Sequence, residues 1–109
     1  MKYLKTYETL NESLDPEIGD YVICKEEGAF NSIFDFTSNN IGKFVEFEEV
    51  DYSHAHYIIA YENVPKKIAD YFINGSINRG RRMYRHEIKY WSKDKKELEI
   101  ILTANKYNL

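Results

Sequence analysis

The chain has 109 residues, 43% of them hydrophobic and 30% charged, with a net charge of −3; this suffices for one core, is too little for two, and excludes a disordered tail. No apolar run approaches the ~20 residues of a membrane span, and Met1-Lys2-Tyr3-Leu4-Lys5 lacks the apolar stretch of a secretory signal. Cys24 is the only cysteine, which excludes an internal disulfide and a zinc site built from cysteine pairs, so the default expectation is a soluble protein in a reducing compartment.

The charge is unevenly spread. Residues 1–55 carry four lysines against twelve acids, a balance of −8, whereas residues 56–109 carry eleven Lys and Arg against six acids, a balance of +5. Either the two halves neutralise each other within one fold, or they leave one acidic and one basic face for partners.

In chain order, Tyr3, Leu4, Tyr7 and Leu10 recur at near-helical spacing and predict a short amphipathic helix over 1–13. Pro16 and Gly19-Asp20 end it and introduce a turn. Tyr21-Val22-Ile23-Cys24, β-branched and aromatic, predicts the first strand, with Cys24 as a buried and inert thiol. From Ala29 to Asn40, apolar Phe30, Ile33, Phe34 and Phe36 are punctured by Asn31, Ser32, Asp35 and Ser38-Asn39-Asn40, so this segment reads as a loop anchored by aromatics. Ile41 to Val50 is a second strand whose alternation fails at Val45, and Tyr57 to Tyr61 is a third. Pro65 opens a helix carrying Ile68, Ala69, Phe72 and Ile73 as far as Asn74-Gly75. Ser76 to Arg82 reads as a polar, basic loop and Met83 to Trp91 as a fourth strand. Ser92 reads as the N-cap of a C-terminal helix with Leu98, Ile101 and Leu102 on one stripe.

This order predicts a single α+β domain over 1–109: a small antiparallel, bent sheet or partial barrel, with short N-terminal, middle and C-terminal helices. Val22, Phe44, Ile59, Phe72, Ile88 and Ile101 sit on the apolar phase of their elements and are the expected core.

His54 and His56, one residue apart beside Asp51, place two imidazoles on one side of a strand, a pattern that metal sites use; with no recognisable fourth ligand, a polar loop and no metal is the expectation. Glu46, Glu48, Glu49 and Asp51 form the densest acidic cluster, with Glu46 and Glu48 on one strand face and Glu49 on the other, and they read as a solvated face. No nucleophile motif, phosphate loop or dinucleotide fingerprint occurs, so neither an enzyme nor a cofactor is expected. Arg79, Arg81, Arg82, Arg85 and Lys89, interleaved with Tyr84, Tyr90 and Trp91, form the best binding candidate. Guanidiniums grip phosphates and aromatic faces stack on unpaired bases, while the ten tyrosines equally suit a protein-binding surface.

Two resemblances add to this reading. Ile18-Gly19-Asp20-Tyr21-Val22-Ile23-Cys24, then Asn40-Ile41-Gly42-Lys43-Phe44-Val45-Glu46-Phe47, then Tyr57-Ile58-Ile59-Ala60-Tyr61 resemble the SH3-like barrel of KOW and Tudor type over about residues 18–64. The stretch from Glu26 to Asn39 is an insertion relative to that pattern. The opening residues Met1 to Glu12 look like the short N-termini of small tailed-bacteriophage proteins, some of which are capsid-targeting peptides cut after a Leu-x-Glu or Ile-x-Glu triplet. Leu10-Asn11-Glu12 matches such a triplet. The second resemblance implies a phage-encoded protein of the host cytoplasm or the virion interior. The expected function is a non-catalytic module that binds a host or phage protein, and size and origin extend this to an inhibitor of a host defence protein. The alternative is a single-stranded nucleic-acid-binding protein using the segment Arg79 to Lys89.

Overall fold

The structure, a computed structural model, describes residues 15–51, 54–74 and 79–107. The helix expected over 1–13 and the Leu10-Asn11-Glu12 triplet lie outside these residues.

A tight turn starts the described chain. The Asp20 carboxylate accepts from the Glu17 amide at 2.8 Å, Gly19 takes φ +102°, and the chain enters strand β1, Tyr21–Cys24. Strands β2 (Gly42–Asp51) and β3 (His54–Tyr61) form the longest pairing. Ile73–Asn74 is a two-residue β4, Arg79–Met83 is β5 and Ile88–Ser92 is β6. The six strands form one antiparallel sheet in the order β4-β5-β3-β2-β1-β6. The fold is therefore α+β, and among the described residues the sheet is open, with β4 and β6 at its edges.

The helices divide between the two faces. Helix α1, Asn31–Ser38, and the single turn α2, Lys66–Ala69, lie on the face that carries Val22, Cys24, Phe44, Ile59 and Met83. Helix α3, Lys95–Tyr107, packs Leu98 and Ile101 on the opposite face against Ile23, which explains why β1 reads as an unbroken apolar run: it is buried from both sides. All six expected core residues are buried. No helix among the described residues is long and apolar enough to cross a membrane.

Five expectations are corrected. Residues 31–38 are a helix, not a loop, because Ile33, Phe36 and Thr37 recur at helical spacing toward the core while the polar residues face solvent. Asn39 and Asn40 donate side-chain hydrogen bonds to the carbonyls of Asp35 (2.7 Å) and Phe36 (2.8 Å), so the residues that look like loop punctuation satisfy the helix's C-terminal acceptors. The middle helix stops after one turn, and Ile73 leaves to pair with Gly80 in a strand. The expected basic loop becomes β5 from Arg79 onward. The expected strand over 83–91 is split by a 3₁₀ turn, Arg85–Glu87, where the Glu87 carboxylate accepts from the Tyr84 amide at 2.8 Å. Finally, the cap of α3 is Asp94, which accepts from the Lys96 amide at 3.0 Å, while Ser92 ends β6.

Ile59 is 0% exposed at the centre of the sheet and packs with Phe44, Tyr61 and Met83. Replacing it with Ala is expected to cost about 2–5 kcal/mol through lost burial and a residual cavity. A chemical-denaturation midpoint equal to the wild type would refute the packing described for β3.

Candidate functional site

The basic segment runs along β5, the 3₁₀ turn and β6, where strand alternation and one bend send its side chains in different directions. Arg81 points to the helix-covered face. Its guanidinium forks onto Glu26, with Nε donating to Oε1 at 2.7 Å and Nη2 to Oε2 at 2.6 Å, and its Nη1 donates to the Tyr71 carbonyl at 2.6 Å. Arg82, one residue on, faces the other way and donates to Glu48 at 2.9 Å, which holds that carboxyl below the usual carboxylate range. Arg85 donates to Asp15 at 2.8 Å and lies 4.5 Å above the Trp91 ring. Lys89 donates to the His86 carbonyl at 2.8 Å. Tyr90 packs with the Ile23, Leu98 and Ile101 cluster, and exposed Tyr84 stacks on His86 at 5.8 Å and meets His56 at a tilt at 5.1 Å. Arg79 is half-buried opposite Tyr61 in the sheet register.

The structure thus does not gather these residues on one cationic face. Arg81, Arg82 and Arg85 each meet a carboxylate from the acidic first half, and Lys93 adds a fourth bridge to Glu17 and Asp20, whose carboxylates hold its ammonium above the usual lysine range. Fork geometry and exposure rank these pairs. Glu26–Arg81 is largely buried, whereas Glu48–Arg82 is in solvent.

Beneath Arg81 lies a buried polar pocket of side chains. Burial, helped by the nearby Glu87 and Glu26 carboxylates, pushes the Cys24 thiol up to about 12 against the opposing effect of the Tyr61 hydroxyl. Tyr61 is itself enclosed, and among the described residues its hydroxyl finds no oxygen or nitrogen partner. At neutral pH such a thiol is protonated and sealed, so it does not attack an electrophile. Burial likewise raises the Glu87 carboxyl. Of the expected histidine pair, His56 Nδ1 lies 3.6 Å from Glu48, and among the described residues no group of three or more His, Cys, Asp and Glu side chains converges as a metal site. A shallow groove of about 200 Å³ between β2, β3 and the start of α3 is lined by Tyr21, Lys43, Ala60, Glu62 and Lys95.

Two further surfaces carry exposed apolar side chains. Phe30 and Tyr71, 64% and 55% exposed, meet edge to face at 5.6 Å; Tyr71 is anchored from below because its carbonyl accepts from Arg81. The second is the outer side of β2. Among the described residues, β1 pairs with β2 only at Gly42 and Lys43, and the Gly19–Asp20 turn extends this to Phe44. Beyond Phe44, among the described residues, only β3 lies beside β2. A bulge between Phe44 and Glu46 coincides with the break in alternation at Val45. Val45 and Phe47 are each 43% exposed, with Glu46, Glu48 and Glu49 between and beside them.

No family model, curated protein or solved structure matches the chain.

Replacing Arg81 with Met is expected to destabilise by about 3 kcal/mol, because it strands the Glu26 carboxylate in a mostly buried position, whereas Arg82→Met removes a solvated pair worth under about 1 kcal/mol. Equal losses in urea denaturation would refute this ranking. The native Cys24 thiol is expected to resist iodoacetamide at pH 8 and to label fully once the protein is unfolded; rapid labelling of the folded protein would contradict its enclosure.

Proposed function

We propose that this protein is a non-catalytic, protein-binding module. The observation that carries the reading is that three arginines of the basic segment hold carboxylates of the same chain, while the exposed apolar side chains Val45, Phe47, Phe30 and Tyr71 lie elsewhere. Under the nucleic-acid alternative, Arg81 would have to leave Glu26 and the Tyr71 carbonyl to reach a phosphate, and the cost of stranding a buried carboxylate opposes that exchange. The unneutralised acids on β2 would also repel a polyanion. Exposed aromatics held from beneath are the side chains that bind proteins at low entropic cost.

Two likenesses support the same direction. The turns before β1 and β2, Ile18-Gly19-Asp20 and Ile41-Gly42, resemble those of SH3-like binding barrels. The opening segment resembles those of tailed-phage proteins and extends the reading to a phage protein that engages a host or phage protein, with inhibition of a host defence protein as the corresponding role.

Labelled single-stranded DNA and RNA oligonucleotides are expected to show no binding in fluorescence anisotropy at physiological salt. Capture of protein from a bacterial lysate by the immobilised chain is expected to survive nuclease treatment. A tight complex with an oligonucleotide that weakens steeply with added salt, or capture abolished by nuclease, would reverse the preference.

A further inference from the structure

We infer that the outer edge of β2, from Val45 to Glu49, takes an extended, lysine- or arginine-bearing segment of a partner protein as an added strand. The inference rests on the protein-binding reading and names the chemistry of the partner. Strand addition needs a row of backbone groups with no neighbouring strand, and among the described residues β2 offers that row beyond Phe44, over about 17 Å at the usual rise of a strand. It also needs side chains beside the row that a partner can cover. Val45 and Phe47 are part-exposed, and exposed Ile18 lies on the turn whose Gly19 amide donates to the Phe44 carbonyl, so the apolar surface continues past the end of the edge.

Charge selects the occupant. Glu48 is shared by Arg82 and His56, but among the described residues neither Glu46 nor Glu49 meets a cation. The register puts Glu46 and Glu48 on one face and Glu49 on the other, so an incoming strand finds a carboxylate on either side of it. A second copy of β2 would set these glutamates against their own kind, and like charges directly opposite in a sheet are destabilising. The glutamates thus oppose the pairing of two identical edges and favour a cationic strand, which is specificity by exclusion as well as by attraction.

The test uses the whole protein and a labelled peptide of alternating lysine and valine. Two twin peptides serve as controls: one has glutamate in place of lysine, and one is N-methylated at alternate backbone amides. The lysine peptide is expected to bind, with amide hydrogen exchange slowed at residues 45–49, and neither twin is expected to bind. The double variant Glu46→Lys/Glu49→Lys is expected to weaken binding at least about tenfold with an unchanged thermal midpoint, since it converts two attractions at the rim into repulsions. Glu46→Gln/Glu49→Gln should lie between, and it decides the matter if the reversal perturbs folding.

Three results would overturn the inference: equal binding of the lysine and glutamate peptides, undiminished binding of the N-methylated twin, or exchange protection confined to another surface. Each can occur while nuclease-resistant capture of protein persists. In that case the edge of β2 fails as the site and the wider protein-binding reading stands.

Discussion

Glu26 and Arg81 lie 55 residues apart in the chain, and the fork between them joins parts of the molecule that no covalent neighbour holds together. Glu26 follows β1 and precedes α1, Arg81 is the middle of β5, and the third hydrogen bond from the guanidinium reaches the Tyr71 carbonyl just beyond α2. A carboxylate this enclosed is tolerable only with its partner in place, so the position of β5, the path of the chain after β1 and the exit from α2 depend on one another. The face of Arg81 also lies 5.6 Å from the Phe72 ring, which ties the charged pair to the apolar core beneath α2.

The central place of β1 follows the same logic from the apolar side. Its four residues are flanked by β2 and β6, so they must be apolar toward both helical layers, and the two clusters of the core meet across them. Cys24 meets the same requirement. Its small, soft side chain fills space beside Tyr61, and the surroundings that make it fit also keep it protonated. Glu87 is buried nearby because its carboxylate closes the 3₁₀ turn between β5 and β6.

Burial of this kind leaves function to the outside. Helix α3 covers only the β1 and β6 side of its face, and α1 and α2 cover the other face, so β2 carries its exposed residues along a margin that no described element adjoins. In the basic segment, Arg81, Arg82 and Arg85 hold acids from the first half of the chain. Among the described residues, the β2 edge and the Phe30–Tyr71 pair carry exposed apolar side chains.

The sequence by itself determined what local pattern and composition decide: the α+β class, the strands at Tyr21–Cys24, Ile41–Val50 and Tyr57–Tyr61, the C-terminal helix and the core residues. It also showed that the charge is divided between the halves. Only the tertiary structure decided what that division does, because ion pairing depends on which face of which strand a side chain leaves from, and one residue of register sends Arg81 to Glu26 and Arg82 to Glu48. The same limit hid α1, whose asparagines punctuate a loop or cap a helix with equal ease until the carbonyls they bind are in place. It hid β4 and β5 as well, since strands of two and five residues leave almost no periodicity to read.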